Sequence, residues 1–171
     1  MANNKEIEFL DGQTLRIGNT VSPIEWSKDS FPLPNGEGVI TEYFFTNSLG
    51  ELASGALFRL REGGSTRVMR IVDPELICER IVVKGRGLML RVSPEGNFFI
   101  DELDADSDKN PLVELTVGWT DCFIAMGPEG AELADISSPP FNPQQEVEIP
   151  LDDPSLHPQF QGVYKLIKER I

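Results

Sequence analysis

The feature of this sequence that most constrains its fold is the close spacing of turn-forming residues along the chain. Clusters rich in glycine, proline, asparagine and serine recur at positions 11–12, 34–36, 47–50, 62–64, 84–87, 93–97, 104–110, 127–130 and 137–140. No segment between Phe45 and Ile136 is long and periodic enough to form a crossover helix, which argues against a parallel α/β sheet. Short strands separated by frequent turns predict an all-β sandwich or a closed barrel.

The segments between these turns are rich in β-branched and aromatic residues, as strands are. They cover residues 39–45, 53–60, 76–83, 88–92, 98–103, 112–117 and 122–126. Within residues 56–61, alternation places Ala56, Phe58 and Leu60 on one face and Leu57, Arg59 and Arg61 on the other. The run Ile81-Val82-Val83 predicts a strand that is buried on both faces.

A chain of 171 residues fits a single domain. We expect its barrel core at about residues 36–141, N-terminal strands within residues 1–35, and a C-terminal arm and helix in residues 142–171. Residues 140–158 hold five prolines and several acids, which predicts an extended arm over the barrel surface. From Pro158 onward, apolar residues recur at helical spacing and predict a short amphipathic helix; they are Phe160, Tyr164, Ile167 and Ile171.

Composition and charge exclude several classes of function. No apolar stretch is long enough to span a bilayer and no secretory signal is visible, so a cytoplasmic protein is expected. Two cysteines are too few to indicate a disulfide framework. The net charge of -13 argues against nucleic acids and anionic membranes as partners. That charge is uneven, because residues 59–91 carry a net +4 and the rest of the chain carries -17.

Residues 61–141 resemble the cupin family. Its first motif begins and ends on glycine, which matches Gly63-Gly64 and the later Gly85-Arg86-Gly87, where a strand is expected to run into a hairpin turn. Its second motif begins Pro-x-Gly, as in Pro128-Glu129-Gly130. The resemblance implies a double-stranded β-helix, or jelly-roll barrel, that often forms dimers, so we expect a homodimer.

The family's metal ligands, which are three histidines and a glutamate, are not present at the matching positions. Aligning on the glycines places Arg70 and Val72 near the first two histidines, Cys78 or Ile77 at the glutamate, and Leu133 at the last histidine. Whether Cys78 or Ile77 takes the glutamate position, these four residues do not provide converging donors for a transition metal. No metal or other cofactor is therefore expected. A carboxylate site remains open as an alternative, formed by Asp73, Glu75 and Glu79. The single histidine, His157, is expected outside the barrel.

The candidate ligand-binding residues are those that a barrel of this kind could direct into its interior. They are Arg59, Arg61, Arg70, Cys78, Trp119, Phe123 and Leu133. Inward arginines would favour an anion, since guanidinium groups pair bidentately with carboxylate or phosphate; the alternative is that they lie outside and pair with neighbouring acids. Cys78 is either a core thiol or a reactive one whose pKa Arg80 and Arg70 lower. Asp121 and Glu79 are a candidate acid–base pair.

Two functions follow from these residues. The first is a metal-free module that binds a small molecule such as an anionic metabolite or a sugar. The alternative is a metal-independent isomerase or lyase that acts on a sugar or a carboxylated metabolite, with a carboxylate or Cys78 as its base.

Overall fold

A computed structural model of the chain describes residues 7–9, 14–17, 19–33, 35–45, 53–108 and 110–170. These residues form twelve strands, a short 3₁₀ helix and one α-helix. The strands are β1 (Ile7–Phe9), β2 (Thr14–Ile17), β3 (Thr20–Pro32), β4 (Gly38–Phe45), β5 (Ser54–Leu60), β6 (Met69–Ile71), β7 (Ile77–Val92), β8 (Phe98–Asp104), β9 (Val113–Leu115), β10 (Thr120–Ala125), β11 (Ala131–Ser138) and β12 (Glu146–Glu148). The 3₁₀ helix spans Pro143–Gln145 and the α-helix, α1, spans Pro158–Arg170.

All strand pairings within the described residues are antiparallel. The strands follow the order β1-β2-β3-β4-β5-β11-β7-β10-β6-β12, with β8 and β9 also paired to β7. This curled sheet and the C-terminal helix confirm the predicted all-β barrel.

The long strand β7 joins the two halves of the barrel. Residues 77–85 pair with β11 and residues 86–92 pair with β8 and β10. The prediction of a hairpin turn at residues 84–87 is therefore wrong. Gly85 adopts a left-handed φ of 73°, and the pairing with β11 shifts register nearby, so the strand bends without reversing.

Other predicted turns do lie between strands. A turn at residues 93–97 links β7 to β8, and residues 127–130 link β10 to β11. The turns predicted at residues 11–12 and 47–50 lie outside the described residues.

Two apolar clusters cover the two faces of the strands. One fills part of the barrel interior and includes Leu60, Phe123 and Leu133. The other lies outside, where Leu90 and Ile124 pack against the C-terminal segment; its buried members there are Ile149, Leu156 and Phe160. The arm is not simply extended, because β12 pairs with β6 and adds a strand to the sheet edge.

Helix α1 begins at Pro158, as predicted, with proline at its first position. Phe160 is fully buried, and Tyr164 and Ile167 pack half-buried against the outer cluster. Ile171, predicted for the same face, lies outside the described residues. No helix in the described ranges is long and apolar enough to cross a membrane.

Candidate functional site

The barrel interior contains a cavity of about 410 Å³. Its walls come from β4, β5, β6, β7 and β11, and residues 141–146 close one side. The larger apolar side chains that line it are Leu33, Ile40, Phe58, Met69, Leu133 and Phe141. Its charged lining residues are Glu42, Arg67, Arg80, Asp135 and Glu146. The cavity therefore has an apolar wall and a group of ionisable side chains, which together can hold and orient a small molecule.

Arg80 is the centre of the ionisable group. Strand alternation directs Cys78, Arg80 and Val82 into the barrel, and only 6% of the Arg80 side chain is exposed. Its Nη1 donates a hydrogen bond to Asp121 Oδ2, its Nε donates to Asp135 Oδ2 at 3.2 Å, and its Nη2 lies 3.6 Å from Glu146 Oε1. Each nitrogen of the guanidinium thus has its own carboxylate neighbour. We call Arg80, Asp121, Asp135 and Glu146 the arginine cluster.

The arginine cluster is an electrostatically unbalanced group, with three carboxyls and one guanidinium. Burial lowers the pKa of Arg80, but attraction to Asp135 and Glu146 outweighs burial and raises it, so the guanidinium stays charged. Burial raises the pKa of Glu146, which Arg80 offsets only in part. Asp121 Oδ1 is buried and has no hydrogen-bond partner among the described residues. The cluster therefore holds acceptor capacity beyond what Arg80 uses.

Cys78 lies beside the cluster as a buried thiol. Its Sγ is 3.8 Å from Glu146 Oε1 and 3.7 Å from Ser137 Oγ. Burial and the nearby Asp135 carboxylate raise the pKa of Cys78, and the opposing effect of Arg80 is smaller. Arg80 therefore does act to lower this pKa, as the reactive-thiol alternative supposes, but the net change in the pKa is upward and that alternative is not supported. Cys78 is protonated at neutral pH and is a poor nucleophile.

The cavity residues do not fit the metal that the resemblance to cupins implies. Met69 lines the cavity and Ile71 is buried in the interior. The side chains of β6 that face inward are therefore Met69 and Ile71, and not Arg70 and Val72 as predicted. With Leu133, they offer a thioether and two hydrocarbon side chains. The three carboxyls of the arginine cluster already surround a guanidinium, whose positive charge would repel a metal ion.

The alternative carboxylate site is not assembled either. The described residues include no group of three or more histidine, cysteine, aspartate or glutamate side chains that could hold a metal ion. Asp73, Glu75 and Glu79 therefore do not converge. Asp121 and Glu79 do not pair as an acid and base, since Asp121 contacts Arg80 and Glu79 points to the opposite face of β7 from Arg80.

The three arginines predicted for the interior lie elsewhere. Arg59 is exposed on the outer face of β5, where it contacts Thr41 Oγ1 at 3.3 Å and Glu132 Oε1 at 3.6 Å. Arg61 is exposed after the end of β5. Arg70 donates from its Nε to Thr120 Oγ1 at 2.8 Å and does not line the cavity. Arg59 therefore fits the alternative prediction, in which arginines of this segment lie outside the barrel and pair with neighbouring acids.

The other residues that the sequence analysis singled out lie in different parts of the barrel. Leu133 lines the cavity, whereas Phe123 is fully buried in the interior cluster. Trp119 is half-buried and packs beneath the Arg91 guanidinium, which lies 4.8 Å from its ring centroid. His157 lies outside the barrel interior, where it stacks on Phe98 at 5.7 Å and its Nδ1 accepts a hydrogen bond from the first turn of α1.

Residue-level reasoning missed Arg80, Asp135 and Glu146 as cavity residues. Alternation along β7 could have predicted that Arg80 faces inward, because the apolar residues two positions to either side, Cys78 and Val82, do so. Glu146 carried no comparable signal, since it reaches the cavity only because β12 pairs with β6.

No family model matches the chain and no curated protein matches it. Solved structures do match it. The capsular polysaccharide assembling protein CapF from Staphylococcus aureus is 16% identical with a TM-score of 0.56, over 74% of this chain and 32% of CapF. Oxalate decarboxylase from Bacillus subtilis is 17% identical with a TM-score of 0.57, over 90% of this chain and 39% of the enzyme. The chain has the cupin fold.

A protein from Shewanella oneidensis also matches this cupin barrel, with 20% identity and a TM-score of 0.52 over 67% of this chain and 73% of that protein. The chain spans about a third of CapF and about two fifths of oxalate decarboxylase. At these identities, the likeness establishes the fold of the barrel.

Proposed function

We propose that this cupin barrel is a metal-free small-molecule-binding protein whose ligand occupies the interior cavity. The observation that carries the proposal is the cavity itself, which combines an apolar wall with the arginine cluster. Small-molecule sites have volumes of roughly 300–1,000 Å³ and a few polar groups that orient the ligand. The cavity of about 410 Å³ lies within that range.

The proposal is tested by screening a library of small metabolites by saturation-transfer NMR against two matched variants. Leu133→Trp places a bulky ring in the cavity, whereas Val117→Trp places the same ring at an exposed position that does not line it. We expect hits that bind the parent protein and Val117→Trp but not Leu133→Trp. Because Leu133 is fully buried, Ala56→Leu serves as a milder filling change at another lining position. No hit, or hits equally retained in both filling variants, would refute cavity binding.

A metal-independent isomerase or lyase is the second candidate, and Glu146 is the observation that favours it. This carboxyl lines the cavity and burial raises its pKa, which brings a carboxyl closer to the range useful for general acid–base catalysis. The test is to incubate each ligand from the screen with the protein in D₂O. Deuterium incorporation or a new product that is lost in Glu146→Gln, with binding retained, would establish the enzyme. Unchanged ligand supports a binding module.

Two further proposals accompany this function. We keep the homodimer and the cytoplasmic location as predictions, each open to direct measurement. The anionic ligand class depended on inward Arg59, Arg61 and Arg70, and that premise is not met. The charges that do line the cavity point to a different class of ligand.

A further inference from the structure

We propose that the cavity binds a small organic cation, an ammonium or amidinium group on a short apolar stem. This inference rests on the proposed function, because it names the ligand class of the same cavity. Its first support is the balance of charge. Among the described residues that line the cavity, two arginines face three carboxyl groups; they are Arg67 and Arg80, against Glu42, Asp135 and Glu146. A fourth carboxyl, Asp121, is bonded to Arg80.

Both arginines already have carboxylate partners. The three nitrogens of Arg80 each have a carboxylate neighbour, and the guanidinium is almost completely buried. Arg67 donates from its Nη1 to Glu148 Oε2 at 3.0 Å. An entering carboxylate or phosphate would therefore have to displace an ion pair to reach Arg80, would share Arg67 with Glu148, and would meet a cavity lining of net negative charge.

Acceptor oxygens are in excess at the same place. Glu146 lines the cavity, and its Oε1 is the oxygen that contacts Arg80 and Cys78. Asp121 does not line the cavity, but it is bonded to Arg80, and its Oδ1 is buried without a hydrogen-bond partner among the described residues. Arg80 therefore does not satisfy all the carboxyl oxygens of the arginine cluster. An ammonium or amidinium group supplies several N–H donors and the missing positive charge together.

The remaining wall of the cavity fits the apolar part of such a ligand. Ile40, Phe58, Leu133, Phe141 and Pro143 line it with hydrocarbon. Burying a short aliphatic or aromatic stem there removes apolar surface from water, which favours binding. A bare inorganic cation would gain nothing from this wall.

The test compares three small molecules of one shape by isothermal titration calorimetry: isopentylammonium, isopentanol and isopentanoate. At neutral pH the amine is cationic and the acid anionic. We expect the amine to bind at least about tenfold more tightly than the alcohol, and the acid to bind more weakly than both. Glu146→Gln should reduce the preference for the amine by about fivefold or more, whereas Glu114→Gln, an exposed carboxylate on β9, should leave it unchanged.

The outcomes separate this inference from the proposed function. If the alcohol binds as tightly as the amine, or the acid binds more tightly, the cavity binds small molecules but the cation inference is wrong. If none of the three binds while the metabolite screen yields cavity hits, the cation inference is again wrong. If the screen itself yields no cavity ligand, both fail. Loss of the amine preference in Glu114→Gln as well would indicate an effect of overall charge and overturn the role of Glu146.

Discussion

Arg80 is the residue on which the barrel interior depends most, because three buried carboxyls share its positive charge. Taking such ions out of water is costly, so the cluster is not evidence of a net gain in stability. Removing Arg80 alone should nevertheless destabilise the fold, because it leaves the three carboxyls buried without a positive charge beside them. The cluster is therefore sensitive to the loss of a single member.

We predict that Arg80→Met lowers the free energy of unfolding at neutral pH by about 3–5 kcal/mol, as removal of one buried ion-pair partner does. The measurement is urea denaturation followed by tryptophan fluorescence. Arg59→Met is the matched control, because its partner Glu132 is partly exposed and surface pairs contribute only about 0–1 kcal/mol. Equal, small losses in both variants would show that Arg80 is not buried among carboxylates.

The two cysteines give a second prediction at the residue scale. Burial raises the pKa of Cys122 to about 12 and also raises that of Cys78. Because the thiolate is the nucleophile, both should resist alkylation by iodoacetamide at mildly alkaline pH until the protein unfolds. Mass spectrometry of the folded protein should find both thiols unmodified. Rapid labelling of Cys78 alone would revive its role as a reactive group.

Helix α1 is the element that closes the outer face of the barrel. Phe160 anchors its first turn, and Lys168 anchors its last turn by donating to Glu37 Oε1 at 2.5 Å. Glu37 also accepts from the backbone and hydroxyl of Ser65, whose hydroxyl lies 2.8 Å from that of Tyr164. One carboxylate therefore ties the helix to the hairpin between β3 and β4 and to the loop after β5.

We predict that the docking of α1 weakens in acid. Burial raises the pKa of Glu37, but its bonds to Lys168 and Ser65 outweigh burial and lower it. A carboxyl with a lowered folded-state pKa stabilises the fold above the unfolded-state pKa, and that contribution is lost as the pH falls through the folded-state value. Hydrogen exchange across residues 158–170 should rise, after correction for intrinsic rates, as Glu37 protonates. Glu37→Gln should raise exchange at neutral pH and flatten this dependence; an unchanged pH profile would contradict the role of Glu37.

The sequence predicted most of the elements, because turn-forming residues and alternating strands are local signals. It failed at β7, where Gly85 looks like part of a turn but bends a continuous strand. A glycine in the left-handed conformation is compatible with a reversing turn and with a bend in a continuous strand. Only the pairing of β7 with β8, β10 and β11 distinguishes the two. That pairing is formed by residues distant in sequence.

The candidate site was less predictable for the same reason. Alternation in β5 already placed Arg59 and Arg61 opposite the apolar face, and only the local excess of basic residues made them candidates for the interior. The inward arginine is Arg80, and its partners Asp135 and Glu146 come from other elements. Leu133 was identified because the resemblance to the cupin family aligns it with the last histidine position, three residues after Pro128-Glu129-Gly130.

At the scale of the whole molecule, we predict a homodimer. Ile100 and Leu166 are 49% and 46% exposed and line a groove between β8 and α1, where a second copy can bury them. Light scattering at micromolar concentration should give twice the 19.0 kDa mass of one chain, and Ile100→Lys should reduce it to one chain. A single-chain mass for the parent protein would contradict the prediction.

The central claim is that the interior of this cupin barrel holds a guanidinium among carboxylates, beside a cavity for a small molecule. A crystal structure of protein grown and purified with added zinc and manganese, with anomalous data at both absorption edges, tests it most directly. We predict that Arg80 lies within hydrogen-bonding distance of Asp121 and Asp135, with no anomalous peak in the barrel. A metal peak ligated by these carboxylates, with Arg80 turned away from them, would contradict the account.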